Sequence, residues 1–375
     1  MKTFYIKTLG CKVSSYESEF VRNLLLFHGY KEVNDNADIC IINTCTVTNT
    51  ADNKSKILEY IKQFEKDHKR IIEFSDMSNE SFEDMEIKRF GSHHRAFVKV
   101  EDGCNNFCSY CIIPYVRGRV RSKDFNKCII EVNDLVISGH KEIVLSGIHT
   151  GQYNSDRKRL SDLINELSKI ELLKRIRLSS VEIVELDEGM MSIIKNNNKF
   201  VSHLHIPLQS GCNKILKSMN RRYDLEYFTN KVNEIRSYRK NISLTTDVIV
   251  GFPGETEADF QDTYNYCKNI KFAKIHVFPY SDRNGTVASR MTNKVPRNII
   301  KERTRKLIEL SNELEKEYFE KFINTEVEVL IEEYIDGYYY GFTDNYIPLK
   351  LKGNYNINEI YNVKLNKEDI NFDLN

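Results

Sequence analysis

The sequence predicts a mixed α/β protein with an N-terminal parallel-sheet domain, a partial (β/α)6 barrel and a small C-terminal β-barrel-like module. Three observations predict it. From Thr3 onward, short apolar runs of strand character alternate with longer amphipathic runs, the succession that builds parallel sheets. Between Ala96 and about Glu320 six strand-like runs recur with helical segments between them. A complete eight-fold barrel usually takes about 250 residues, slightly more than this stretch offers. After Thr325 the chain turns to short strand-like runs with seven tyrosines and no arginine.

Taken in order, the N-terminal domain covers residues 1–92. Thr3–Leu9 reads as a strand and 10–12 as a turn. Residues 14–30 are helical: Phe20, Leu24, Leu25 and Phe27 share one face, and Gly29 suits the C-terminal end. Residues 37–43 form a strand apolar enough to be buried on both faces, 50–66 a helix, and 70–74 a third strand. Residues 79–95, charged and loop-like, link to the barrel domain, 93–320. Its strands are expected at 96–100, Glu142–Ser146, 175–179, 203–206, Ser243–Val250 and 273–278. Helices are expected at 124–139, 159–168, 186–196, 213–219, 224–237 and 257–268, and a charged amphipathic helix over 296–322 leads to the module at 321–375. Reactive groups in such folds lie beyond the carboxyl ends of the strands. Cys11, Cys45 and the residues after Phe74 share that edge in the first domain.

The composition narrows the class. With 375 residues, 41% hydrophobic and 29% charged, the chain can bury a sizeable core. A net charge of +1 gives no overall field for nucleic acid, so RNA must be held by local patches. No apolar run of about eighteen residues indicates a membrane span, and the N-terminus lacks an apolar leader, so a cytoplasmic protein is expected. Nine cysteines, an odd number, point to metal or catalytic thiols in a reducing compartment rather than a disulfide framework.

Three of those cysteines carry the chemistry. Cys104, Cys108 and Cys111 stand at C-x3-C-x2-C directly after the first barrel strand. Three thiolates on so short a loop can hold three irons of a 4Fe–4S cluster and leave the fourth open to a small-molecule ligand. Zinc is the competing reading, but zinc sites favour paired C-x2-C units with a fourth ligand, which is not seen nearby. Cys40, Cys128 and Cys267 read as small apolar residues of the interior, and Cys212 as a variable loop residue near the active face. Of His203 and His205, at least one is expected to be a hydrogen-bonded core histidine. Arg117, Arg119, Arg121 and Lys123 are either a solvated run or contacts to phosphates, to which Arg221 and Arg222 would add. Gly147, Ser180, Glu182 and Gln209 lie just past barrel strands, where ligand contacts are expected.

The cysteine motif after a first barrel strand resembles the radical S-adenosylmethionine (SAM) superfamily. Residues 8–12 (Thr-Leu-Gly-Cys-Lys), 43–47, 102–104, 117–122, 205–211, 219–223 and 247–256 together look like the methylthiotransferases of that superfamily, across nearly the whole chain. The Thr-Leu-Gly-Cys-Lys form is similar to the branch acting on N6-threonylcarbamoyladenosine (t6A) in tRNA. The resemblance implies a 4Fe–4S cluster on Cys104, Cys108 and Cys111, with SAM bound to its open iron through amino and carboxylate groups. One electron then breaks the sulfonium C–S bond and yields a 5′-deoxyadenosyl radical. It further implies Tyr110 near the adenine, backbone at Gly147 supporting the SAM amino group, and Ser180, Glu182 and Gln209 around the rest of SAM.

A methylthio group would be added to C2 of t6A at position 37, in the anticodon stem-loop. Arg117, Arg119 and Arg121 would meet tRNA phosphates, a flavodoxin or ferredoxin would supply electrons, and residues 321–375 would be a TRAM-like RNA-binding module. That module carries five lysines, no arginine and ten acidic residues, poor electrostatics for RNA. The family holds a second 4Fe–4S cluster, the sulfur source, on three N-terminal cysteines. Cys11 and Cys45 match two of them, and Asp76 stands where the third belongs. A carboxylate is a harder ligand than a thiolate. Two further readings therefore stand beside the first: an enzyme that cleaves SAM but has lost sulfur insertion, and a relative that only binds RNA.

Overall fold

A computed structural model describes residues 2–44, 57–69, 81–88, 90–91 and 95–372. The chain divides into two compact units: Met1–Asn105 with Ile112–Leu172, and Asn106–Cys111 with Leu173–Asn375.

The first unit opens with strand β1 (Thr3–Leu9) and helix α1 (Lys12–Phe27). Strands β2 (Lys31–Glu32) and β3 (Ile39–Thr44) flank β1 in parallel, in the order β2-β1-β3. Phe4 and Ile6 of β1 pack on Val21 and Leu25 of α1 and on Leu58 of α2 (Ile57–Asp67). β3 is not buried on both faces as its composition predicts. Ile39 and Ile41 face that core, while Cys40 is exposed and Ile42 is 61% exposed, so strand alternation overrides an all-apolar run. The third strand expected at 70–74 lies outside the described residues.

The stretch read as a linker is packed. Met85, Ile87 and Phe90 are buried, because apolar residues recur between its charges. Strand β4 (Arg95–Lys99) pairs in parallel with β7 (Glu142–Ser146), from Arg95 opposite Glu142 to Lys99 opposite Ser146. Between them come β5 (Glu101–Asp102), α3 (Ile113–Val116), β6 (Arg121–Ser122) and α4 (Phe125–Ile137). β5 and β6 pair antiparallel, so the chain leaves for the cysteine loop and returns at one place. The hairpin β8 (Asn154–Ser155) and β9 (Lys158–Arg159) precedes α5 (Leu160–Leu167).

The second unit continues the strand–helix succession with β10 (Arg175–Leu178), α6 (Glu188–Asn196), β11 (His203–His205), α7 (Asn213–Ser218), α8 (Leu225–Tyr238), β12 (Ser243–Val250), α9 (Glu257–Ile270) and β13 (Lys274–Pro279). β11, β12 and β13 form a parallel sheet in that order. Asp187, Asp224 and Thr256 accept backbone N–H bonds at the starts of α6, α8 and α9, the capping that fixes where a helix begins. Helix α10 (Arg297–Glu320) leads to β14 (Glu326–Ile335), β15 (Tyr338–Thr343), β16 (Pro348–Leu351) and β17 (Ile360–Lys364). These four form an antiparallel sheet, β16-β15-β14-β17, over Val329, Ile331, Ile347, Leu349 and Leu365. The expected fold class is the observed one: parallel α/β layers followed by a small antiparallel module.

Candidate functional site

In the first unit the cysteine loop starts on a glycine that its geometry requires. Gly103 has φ +86°, and a Cβ there would lie 2.0 Å from the Arg119 carbonyl oxygen. Cys104 N–H donates to Gly118 O at 3.1 Å, and Cys104 Sγ lies 3.4 Å from His149 Nδ1. Glu101, fully buried on β5, accepts the His149 backbone N–H at 2.6 Å. Burial pushes its carboxyl up to about 8, against the pull of that bond. Gly147 makes room for it, since a Cβ would stand 2.7 Å from Glu101 Oε2. Here the glycine serves a close approach of Glu101, in the segment expected to face SAM.

The run after the loop is corrected. Arg117 is 2% exposed and Lys123 is buried outright, so neither is a surface contact for RNA. Arg117 Nη1 binds Asp102 at 3.1 Å and Glu17 at 3.2 Å. Burial alone would push Asp102 up, but Lys99 and Arg117 hold it well below the usual carboxylate range. Arg121 is nearly buried beside Asp102, and Arg119 alone of the three arginines is exposed. Glu17 lies a hundred residues from Arg117 in sequence, which is why that arginine looks solvated when read locally.

In the second unit Cys108 and Cys111 close a turn, with Cys111 N–H on Cys108 O at 3.0 Å. Ser109 ties that turn down: its N–H donates to Met219 O at 3.0 Å and its hydroxyl to Ser218 O at 2.8 Å. Asn220 Nδ2 holds Phe107 O at 3.0 Å. Arg221 Nη1 donates to Cys108 Sγ at 3.3 Å, and its Nη2 is in close ion pair with Glu182. Tyr223 accepts from Arg221 Nε at 3.2 Å and donates to Leu208 O at 2.8 Å. Arg221, expected with Arg222 among the phosphate contacts, is instead turned inward onto Cys108 and Glu182. The motif 219–223 drew notice, but nothing in it says which arginine turns inward.

Glu182 is engaged by Arg221, and Ser180 is half-buried just past β10. Tyr110 packs edge-on to Phe252, ring centroids 6.4 Å apart. Gln209 holds φ +67°, costly for a non-glycine residue, with its N–H on Asp247 O at 2.8 Å. Cys11 is exposed at the N-cap of α1, while Cys45 and Asp76 lie outside the described residues. Cys40 is exposed rather than interior. Cys128 and Cys267 are interior as expected, each pushed up to about 12 by burial. Cys212, expected as a variable loop residue near the active face, stands at the N-cap of α7, is 7% exposed, and its thiol meets Asp259 Oδ1 at 3.3 Å. His203 is the hydrogen-bonded core histidine, Nε2 lying 3.2 Å from Thr245 Oγ1.

Three thiolates at C-x3-C-x2-C suit a cluster, which takes one thiolate per iron. Cys104, Cys108 and Cys111 are half-buried and in no disulfide, and two of the sulfurs have a nitrogen neighbour, His149 or Arg221. Such contacts orient and tune cluster thiolates.

Residues 98–267 match the radical SAM superfamily, and residues 3–75 match a family described as uncharacterized protein family UPF0004. The threonylcarbamoyladenosine tRNA methylthiotransferase MtaB of Bacillus subtilis (strain 168) is 38% identical over 98% of this chain and 94% of its own length. The chain belongs to the radical SAM tRNA methylthiotransferases. Other members of this methylthiotransferase family align similarly. MtaB of Aquifex aeolicus (strain VF5) is 36% identical over 92% of this chain and 96% of its own. A tRNA-2-methylthio-N(6)-dimethylallyladenosine synthase of Clostridium tetani (strain Massachusetts / E88) is 34% identical over 88% and 85%.

This methylthiotransferase also gathers positive charge in its second unit. A cavity of about 220 Å³ is lined by Arg236, Lys240, Lys271 and Lys321 with Tyr318 and Asn241. Lys271 pairs loosely with Glu317 at 3.4 Å. Burial pushes Arg236 below its ordinary value, and Lys321 likewise, with Lys271 and Arg236 adding repulsion. The residues before β12 and β13 form this cavity, at the strand ends opposite those carrying Gln209 and Phe252.

Proposed function

We propose that this protein adds a methylthio group to C2 of N6-threonylcarbamoyladenosine at position 37 of tRNA by radical SAM chemistry. The observation that carries this reading is the intact Cys104/Cys108/Cys111 loop in a chain collinear over 98% of its length with a relative named for that activity. When bound, the 4Fe–4S cluster and SAM supply one-electron cleavage of SAM. The chain's own residues do the rest. Gly103 lets the loop turn, and Arg221 fixes Cys108 while sharing its charge with Glu182. Glu182 thus acts through Arg221, and Tyr110, Gly147, Ser180 and Gln209 remain for SAM itself. Cys11 and Cys45, with Asp76 in the third position, would hold the sulfur-donating cluster.

Arg119 and the cavity of Arg236, Lys240, Lys271 and Lys321 supply phosphate contacts for the tRNA, whose anticodon stem-loop is presented to the cysteines. The acidic module at 321–375 is the TRAM-like domain, following domains 1–92 and 93–320. A flavodoxin or ferredoxin in the cytoplasm serves as electron donor. The test is anaerobic loading with iron and sulfide, turnover with SAM and t6A-bearing tRNA, and analysis of the nucleosides; absence of the 2-methylthio product overturns the reading.

One observation favours a second reading. Asp76 replaces a thiolate with a harder ligand, so the protein would cleave SAM without inserting sulfur. Iron near four atoms per chain rather than eight, with SAM cleavage intact, supports that reading.

A further inference from the structure

Helix α1 starts at Cys11 and buries polar side chains along its inner face: Tyr16, Glu17 and Glu19 are each 1–2% exposed. Each has a partner far along the chain, and those of Glu17 flank the cysteine loop. Tyr16 OH donates to Glu131 Oε1 at 2.8 Å, and Glu131 is paired with buried Lys123 at 2.6 Å. Glu19 Oε1 accepts the Gly91 N–H at 2.7 Å. Glu17 lies between Lys99 and Arg117, 3.2 Å from each. Both cations also hold Asp102, at 2.6 and 3.1 Å. Asp102 Oδ1 in turn accepts the Gly103 N–H at 2.8 Å, and Cys104 is the next residue.

This cluster is poor value as a source of stability. Desolvating buried ions offsets most of their attraction, and apolar replacements of similar volume are often neutral or stabilising. What the charges provide is one geometry: only one placement of α1 satisfies two anions and two cations at once. The six residue steps from Cys11 to Glu17 span about 9 Å of helix, so the cluster connects the N-terminal cysteine to Cys104 by a short path. Sulfur transfer to a carbon activated at a second site depends on such placement.

We propose that Glu17, with Lys99, Arg117 and Asp102, is a positioning cluster that fixes the Cys11 end of α1 against Cys104, so that sulfur insertion stays coupled to SAM cleavage. This rests on the methylthiotransferase reading of the protein. It also assigns the buried arginine of the basic run, which makes no contact with RNA, a role in the reaction.

The test uses the full chain. In Glu17→Gln, cluster iron is retained, SAM is still cleaved, and 5′-deoxyadenosine released per methylthiolated nucleoside rises about fivefold or more. A second variant, Glu17→Met with Lys99→Leu, removes one charge of each sign and keeps the fold accessible if the first fails to fold; its ratio rises as well. Amide hydrogen exchange gives a readout without turnover: Gly103 and Cys104 exchange about tenfold faster in both variants while β7 is unchanged. Unchanged exchange at Gly103 and Cys104 overturns the proposal. So does an unchanged ratio, or a ratio held constant while both activities fall with stability. Absence of methylthiolated product from the unmodified protein is a failure of the functional reading instead, and the exchange result then decides the cluster's role alone.

Discussion

Arg221 Nη1 lies 3.3 Å from Cys108 Sγ while Nη2 of the same guanidinium holds Glu182. One buried cation thereby serves a sulfur of the cysteine loop and the carboxylate that follows β10. Removing it leaves Glu182, whose side chain is 14% exposed, with a nearly buried and unpaired charge. Arg221→Ala is expected to destabilise the protein by about 3–5 kcal/mol, read from denaturant unfolding. In the iron-loaded protein, loss of the charged donor at Cys108 also shifts the cluster potential to more negative values, measured by potentiometric titration.

Gly103→Ala places a Cβ 2.0 Å from the Arg119 carbonyl at φ +86°. The obstacle is backbone, so no rotamer change relieves it. The expected outcome is a protein that keeps its secondary structure by circular dichroism but loses most of its iron after anaerobic loading. Gly337, also at positive φ with open space above it, is the control and retains iron as alanine.

Glu101 gives a pH dependence with a definite sign. Its folded carboxyl is raised by burial to about 8 from 4.5. The folded state therefore binds the proton more tightly, so this contribution is fully present below about pH 4.5 and is lost as pH rises toward 8. At about 1.4 kcal/mol per unit, the loss is of the order of several kcal/mol. Glu101→Gln, which mimics the protonated acid, is expected to unfold at a higher temperature than the unmodified protein at pH 8.5 and at a similar one at pH 4.5.

The four cations of the second-unit cavity are expected to act on tRNA through phosphate alone. Changing Lys240, Lys271 and Lys321 to Ala lowers tRNA affinity and reduces the slope of log K against log salt by about 2–3. SAM cleavage in the absence of tRNA stays unchanged. A slope equal to that of the unmodified protein removes the cavity from the RNA contact.

Much of this was legible before any coordinates. Periodicity located α4, α5, α8 and α9 to within about two residues at either end, and in the structure Asp124, Asp224 and Thr256 cap three of those starts. The cysteine loop declared itself by spacing. What stayed hidden depends on pairing over long separations. Arg117 looks solvated until Glu17, a hundred residues earlier, is beside it. Arg221 and Arg222 are indistinguishable as letters, yet one is buried against Cys108. Cys40 failed for the opposite reason: an apolar run says that a strand is buried somewhere, not on which face. The short segment around Met85 looked like a linker because its buried residues are sparse among charges.

The most direct test of the central claim is nucleoside analysis by mass spectrometry after anaerobic turnover. The iron-loaded protein is incubated with SAM, a reductant and tRNA that carries t6A at position 37. The account predicts conversion of t6A to its 2-methylthio form, abolished in Cys104→Ser, Cys108→Ser and Cys111→Ser. Unmodified t6A in the presence of continued SAM cleavage would contradict it.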